Sequence, residues 1–252
     1  MLLTRMLLKL PRLFVGAQRV TMPRGFRPDR VLREEDFASH VRIGGMEPVQ
    51  EFIEHLRVLY LALIEQVGPD GCVALCSPNP REGRSLVTAN LAVAMAHDTG
   101  HPVTVVDLSF RDGAQARLLD VEPTAGFADL RPGERSIRVR VPTDHPDLEL
   151  VQPGDPGGDG TRLLQSGRLD DLFRELKAAG RFVLVDTPPA TAGVDARIIA
   201  ERVDGVVTVV RLGKTKRSDL APYYRAFRDL PLLGVACNGH ERWLPAWLQR
   251  FL

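Results

Sequence analysis

The sequence predicts an α/β fold, a parallel sheet flanked by helices. Short β-rich runs alternate along the chain with segments of helical period. The runs, among them VALC (73–76), VTVVD (103–107) and FVLVD (182–186), are apolar on consecutive positions. Strands of that kind are buried on both faces, as in a parallel sheet covered by helices. At 252 residues, 44% of them hydrophobic, the chain suffices for one sizeable domain, or a smaller one with an extension. Charged residues make up 26% and the formal net charge is +1, so the composition is globular and implies no nucleic-acid partner.

Residues 1–46 read as an N-terminal extension and linker. Leu2, Leu3, Met6, Leu7, Leu10 and Leu13 recur at helical spacing, which permits an amphipathic helix lying on anionic lipid. A frayed tail, or a helix docked on the domain or a partner, fits the same residues. Arg5, Lys9, Arg12 and Arg19 interrupt the apolar positions, so the segment lacks the continuous apolar core of a secretion signal. No stretch approaches the roughly 20 apolar residues of a membrane span. Pro23, Gly25, Pro28, Gly44 and Gly45 mark a linker.

The domain is placed at 47–240. It opens on an amphipathic helix over 48–67, whose apolar face is Val49, Phe52, Ile53, Leu56, Leu59, Tyr60 and Leu63 and whose end is marked by Gly68, Pro69 and Gly71. Further helices are expected at 85–97, 162–179, 194–202 and 216–229, and further strands at 148–151, 205–210 and 232–236. Pro142, His145 and Pro146, then QPGDPGGDG from Gln152, read as loops. Cys72 and Cys76 lie four apart on one strand, about 13 Å by strand rise, too far to share a metal or disulfide. With Cys237 they read as buried reduced thiols, which suit a cytosol. Residues 241–252 form an aromatic tail.

The chemistry concentrates where ALCSPNPREGRSLVTANLA runs from strand through a turn-rich loop into a helix. Backbone N–H groups at such a loop and helix start form an anion site. Gly83 allows close backbone approach, Arg84 supplies a cation and Ser85 a hydroxyl for Mg²⁺. Alone, Gly-Arg-Ser could equally be a capped turn with no ligand. Two later strands, however, end in Asp107 and Asp186, and a carboxylate there can orient Mg²⁺ or its waters.

On these residues the chain resembles the bacterial tyrosine kinases, or BY-kinases, of the deviant-Walker P-loop group. The resemblance spans about residues 48 to 238. It rests on Glu54 and Arg57, Ser77-Pro78, Gly83-Arg84-Ser85, Asn90-Leu91-Ala92, Asp107 with Arg111, and Leu163-Leu164-x-Ser166. Asp186-Thr187-Pro188-Pro189, Asp195, Val209-Val210-Arg211 and Asn238 complete it. It implies a P-loop NTPase fold with Rossmann-like layers and ATP across the strand C-termini. Gly83, Arg84, Ser85, Arg111 and Asn238 would bind the nucleotide. Ser85, Asp107 and Asp186 would hold Mg²⁺, the two acids being catalytic. The implied protein is cytoplasmic or peripheral on the inner membrane face, and regulates exopolysaccharide or capsule synthesis and export. Its implied partners are a membrane polysaccharide co-polymerase and further copies of itself, met through Glu54 and Arg57. The apolar residues of the two termini fit contact with a membrane surface, and equally docking on the domain or a partner.

Departures from the pattern point to weak or absent kinase activity. Arg81 stands for a loop glycine, Arg84 for the loop lysine, Ser109 for a second acid after Asp107, and Tyr60 for an arginine. The tail carries Trp243 and Trp247 in place of a tyrosine cluster, and the only tyrosines are Tyr60, Tyr223 and Tyr224. Two alternatives stand beside this reading. One is an active ATPase or tyrosine kinase acting on another protein; the other is a MinD/ParA-type positioning ATPase.

Overall fold

A computed structural model describes residues 48–239 except 112, 132–133 and 143–146, and omits the side chains of residues 48, 49 and 51. The N-terminal amphipathic segment, the linker and the aromatic tail lie outside the described residues. In chain order the elements are α1 (Pro48–Val67), β1 (Cys72–Cys76), α2 (Arg84–Thr99), β2 (Val103–Asp107), α3 (Ala114–Leu118), β3 (Val139–Arg140), β4 (Leu148–Val151) and α4 (Gly160–Gln165). α5 (Gly167–Ala178), β5 (Phe182–Asp186), α6 (Asp195–Ala200), β6 (Gly205–Arg211), α7 (Arg217–Phe227) and β7 (Leu232–Asn238) follow.

The seven strands form one sheet in the order β3-β4-β2-β5-β1-β6-β7. All neighbours run parallel except β3 and β4. The consecutive apolar runs have their physical reason here: every residue of β1, β2 and β5 is buried. On one face Ile53, Leu56 and Leu63 of α1 and Leu91 and Met95 of α2 pack on Val73, Leu75, Val103 and Val105. On the other, Leu169, Leu172 and Leu176 of α5, Ile198 and Ile199 of α6, and Tyr223 and Phe227 of α7 pack on Cys72, Ala74, Cys76 and Val183. Each fully buried large apolar side chain contributes about 1.5–3 kcal/mol, so the two faces together hold the sheet.

α1 is tied to α2 by more than apolar contact. Arg57 donates from Nε to Asp98 Oδ2 at 2.7 Å and from Nη2 to Oδ1 at 2.9 Å, and the Tyr60 hydroxyl donates to Asp98 Oδ2 at 3.0 Å. Arg57 also pairs with Glu54 on its own helix. Tyr60, which replaces an arginine of the family pattern, therefore belongs to a network internal to this chain.

The structure differs from the expectations in three places. The single helix over 162–179 is two helices, because Ser166 is extended (φ −75°, ψ 159°) and closes α4 with its N–H on the Arg162 and Leu163 carbonyls. Cys237 is exposed, unlike Cys72 and Cys76, because β7 is an edge strand. The third is an addition: the two-residue β3 pairs antiparallel with β4. It is too short to leave a period in the sequence.

Candidate functional site

The site grows from the strand order. β5 lies between β1 and β2, and the register sets Asp107 beside Asp186 at the same C-terminal end. The loop after β1 leads into α2 at that end. Gly83 caps α2 at φ 88°, a left-handed conformation that glycine adopts without strain. A Cβ there would lie 1.8 Å from Asn238 Nδ2, which donates to the Glu82 carbonyl at 3.0 Å. Asn238, at the end of β7, thus braces the loop.

Arg81 also has positive φ, 62°, so the position where the family pattern has glycine requires a left-handed backbone. An arginine held there carries a strain of about 1–2 kcal/mol. The residue is exposed, and its carbonyl accepts from Arg211 Nη1 at 3.3 Å. Glu82 is buried and works as an internal staple. Its carboxylate accepts from the Asn79 N–H at 2.9 Å, from Asn79 Nδ2 at 3.2 Å and from the Thr215 hydroxyl at 2.6 Å.

Arg84 does not extend from the loop into solvent. It is only 7% exposed and turns under the loop, donating from Nε to Asp186 Oδ1 at 2.7 Å and from Nη1 to Ser77 Oγ at 3.0 Å. Asp186 Oδ2 accepts from Gln115 Nε2 at 2.8 Å, and the same amide nitrogen donates to the Ser85 carbonyl at 2.9 Å. Asp107 Oδ1 accepts from the Ser109 N–H at 2.9 Å, and Oδ2 from the Gln115 N–H at 3.1 Å. Burial, then the charge of Asp186, pushes the Asp107 carboxyl up to about 7, against the lowering effect of those two backbone donors.

Of the residues singled out in the sequence, Arg84, Ser85, Asp107 and Asp186 come together, with Gly83 and Asn238 forming the loop beside them. Arg111 is exposed on the turn after β2, and no contact ties it to this cluster among the described residues. Gln115 was not singled out, although it bridges both acids and the loop. Its partner Asp186 is 71 residues away, and no spacing in the sequence signals such a contact.

The two acids that the resemblance assigns to Mg²⁺ are held by protein donors in this arrangement. All four oxygens of the two carboxylates already accept protein hydrogen bonds, and both acids are fully buried. The cation that the loop would present to a phosphate is engaged with Asp186. The buried Gln115 Oε1 has no hydrogen-bond partner among the described residues, but a lone neutral amide oxygen does not make a hard-cation site. No cluster of three or more His, Cys, Asp or Glu suited to a metal occurs among the described residues.

No family model matches the chain. Individual relatives do. EpsB of Ralstonia nicotianae, which carries a tyrosine-protein-kinase name, is 32% identical over 195 residues, 76% of this chain. The chain spans only about a quarter of that protein, 25% of its length. Tyrosine-protein kinase YwqD of Bacillus subtilis is 31% identical over 67% of this chain and 72% of its own. The chain belongs to the bacterial tyrosine-kinase family. Among solved structures, the kinase domain of the Escherichia coli tyrosine kinase Etk superposes with TM-score 0.69 over 86% of this chain and 91% of its own, at 18% identity. A cobyrinic acid a,c-diamide synthase from Mycobacterium smegmatis, solved with an ATP analogue and magnesium, does so with TM-score 0.51 over 66% of this chain and 74% of its own, also at 18% identity. At such identities these two show a shared fold alone. No described helix is long and apolar enough to cross a membrane.

Proposed function

We propose that this BY-kinase relative is a cytoplasmic subunit that regulates exopolysaccharide or capsule synthesis and export by contact with a membrane co-polymerase, with weak or absent kinase activity. The observation that carries the reading is the buried Arg84–Asp186 ion pair, 2.7 Å long. It engages the loop's cation and one of the two site acids with each other. A relative from Klebsiella pneumoniae, 22% identical and named as a tyrosine-protein kinase in the cps region, supports the link to polysaccharide.

The tyrosines support the same reading. Tyr60 is buried and donates to Asp98, while Tyr223 is buried, stacks on Phe227 at 4.4 Å and pairs with the Thr208 hydroxyl at 3.1 Å. Tyr224 is half-buried beside Tyr223 on α7. None of the chain's three tyrosines sits on a free strand end or loop where a kinase could engage it.

The test uses cells lacking the gene, complemented with wild type or with Ser85→Ala, whose melting temperature is first shown to be unchanged. Secreted polysaccharide should be restored by both, and purified protein given ATP and Mg²⁺ should stay blank to anti-phosphotyrosine antibody. Loss of secretion with Ser85→Ala, together with a strong phosphotyrosine signal in wild type, would return nucleotide chemistry to first place.

A further inference from the structure

Two carboxylates side by side in a dry site repel each other, and something must compensate them. Asp107 and Asp186 are register partners on adjacent strands, both fully buried. In this fold an acid at that end serves to orient a metal or its waters. Here the compensating charge is covalently part of the chain. The Arg84 guanidinium meets Asp186 Oδ1 with Nε and Ser77 Oγ with Nη1, and Ser77 Oγ in turn donates to the Asn79 carbonyl at 3.0 Å. A planar fork reaches two acceptors at once, which the point charge of a lysine does not do in one fixed geometry. Gln115 completes the arrangement by fixing the other oxygen of Asp186 to the Ser85 carbonyl.

We propose that the Arg84 guanidinium is a built-in substitute for a divalent cation, holding Asp186 and the phosphate-type loop together so that this end of the sheet is assembled without a metal. The inference deepens the contact reading above and rests on it. It makes the loop's shape independent of divalent-ion concentration, whereas a metal-held loop would respond to it. Removing the guanidinium leaves its two contact atoms, Asp186 Oδ1 and Ser77 Oγ, facing the freed volume, with the Asp107 carboxyl next in register. Hard oxygen ligands of that kind suit Mg²⁺ or Mn²⁺.

The probe is Mn²⁺, read by electron paramagnetic resonance and by thermal melting of the full chain. Wild type should bind no Mn²⁺ and melt at the same temperature with or without it. Arg84→Ala should melt several degrees lower and regain most of that loss in Mn²⁺. If it fails to fold alone, refolding in Mn²⁺ against refolding in chelator reads the same rescue. Arg84→Lys should lose less and show no response to Mn²⁺. Stoichiometric Mn²⁺ binding by wild type, or an Arg84→Ala protein indifferent to Mn²⁺ in both formats, overturns the proposal. Either result leaves the secretion test above standing, so the two readings fail separately.

Discussion

Arg84→Ala should destabilise the fold by about 3–5 kcal/mol, the usual cost of removing one partner from a buried ion pair. The cost arises because Asp186 keeps its burial and its neighbour Asp107 but loses its counter-charge. For a domain of this size that is a fall in melting temperature of roughly 6–20 °C, at about 2–4 °C per kcal/mol. Replacing both partners together, Arg84→Met with Asp186→Leu, should recover most of the loss, because an apolar pair of similar volume carries no charge to compensate. Circular-dichroism melts of the single and double variants make the comparison. A single variant within about 1 kcal/mol of wild type would show that the pair contributes no more than an exposed one does.

The second large effect is expected at Asp98, which accepts from Arg57 twice and from Tyr60, and lies 2.9 Å from His97 Nδ1. Asp98→Ala leaves the buried Tyr60 hydroxyl without its acceptor and frees α1 from its polar tie to α2. The expected loss is about 1.5–3 kcal/mol, the range for a hydrogen bond to a charged group, and Arg57 regains some solvation because it is partly exposed. The pH dependence has a definite sign. Burial pushes the Asp98 carboxyl up, but the donors from Arg57, His97 and Tyr60 more than reverse this, to about 2 against an ordinary 3.8. A carboxyl depressed by folding stabilises above its unfolded value and loses that contribution as pH falls through the folded one. Urea midpoints of wild type and Asp98→Ala should therefore differ by a constant amount from pH 7 to about pH 4 and converge toward pH 2. A difference that grows on acidification would contradict the network.

The layout of this fold was legible because its strands are short, apolar throughout and punctuated by Gly and Pro. Asp107 and Asp186 were legible as a pair because each ends such a strand, and parallel neighbours bring strand ends together. The direction of the Arg84 side chain was not, since a loop arginine reads the same whether it faces a phosphate or turns under the loop. What decides it is a contact across 102 residues of sequence. Gln115 and Glu82 escaped notice for the same reason: a single amide on the short α3, or a single acid in a polar loop, carries no period, and only the folded chain gives it partners. The break at Ser166 was hidden because apolar residues on both sides of it keep helical spacing.

The central proposal is that Arg84, engaged by Asp186, does not serve a metal-bound nucleotide. Calorimetric titration of ATP into the wild-type protein, with Mg²⁺ and again with chelator, tests it most directly. The account predicts no Mg²⁺-dependent binding heat. Saturable one-to-one binding that requires Mg²⁺ and disappears in a folded Asp186→Asn variant would contradict it.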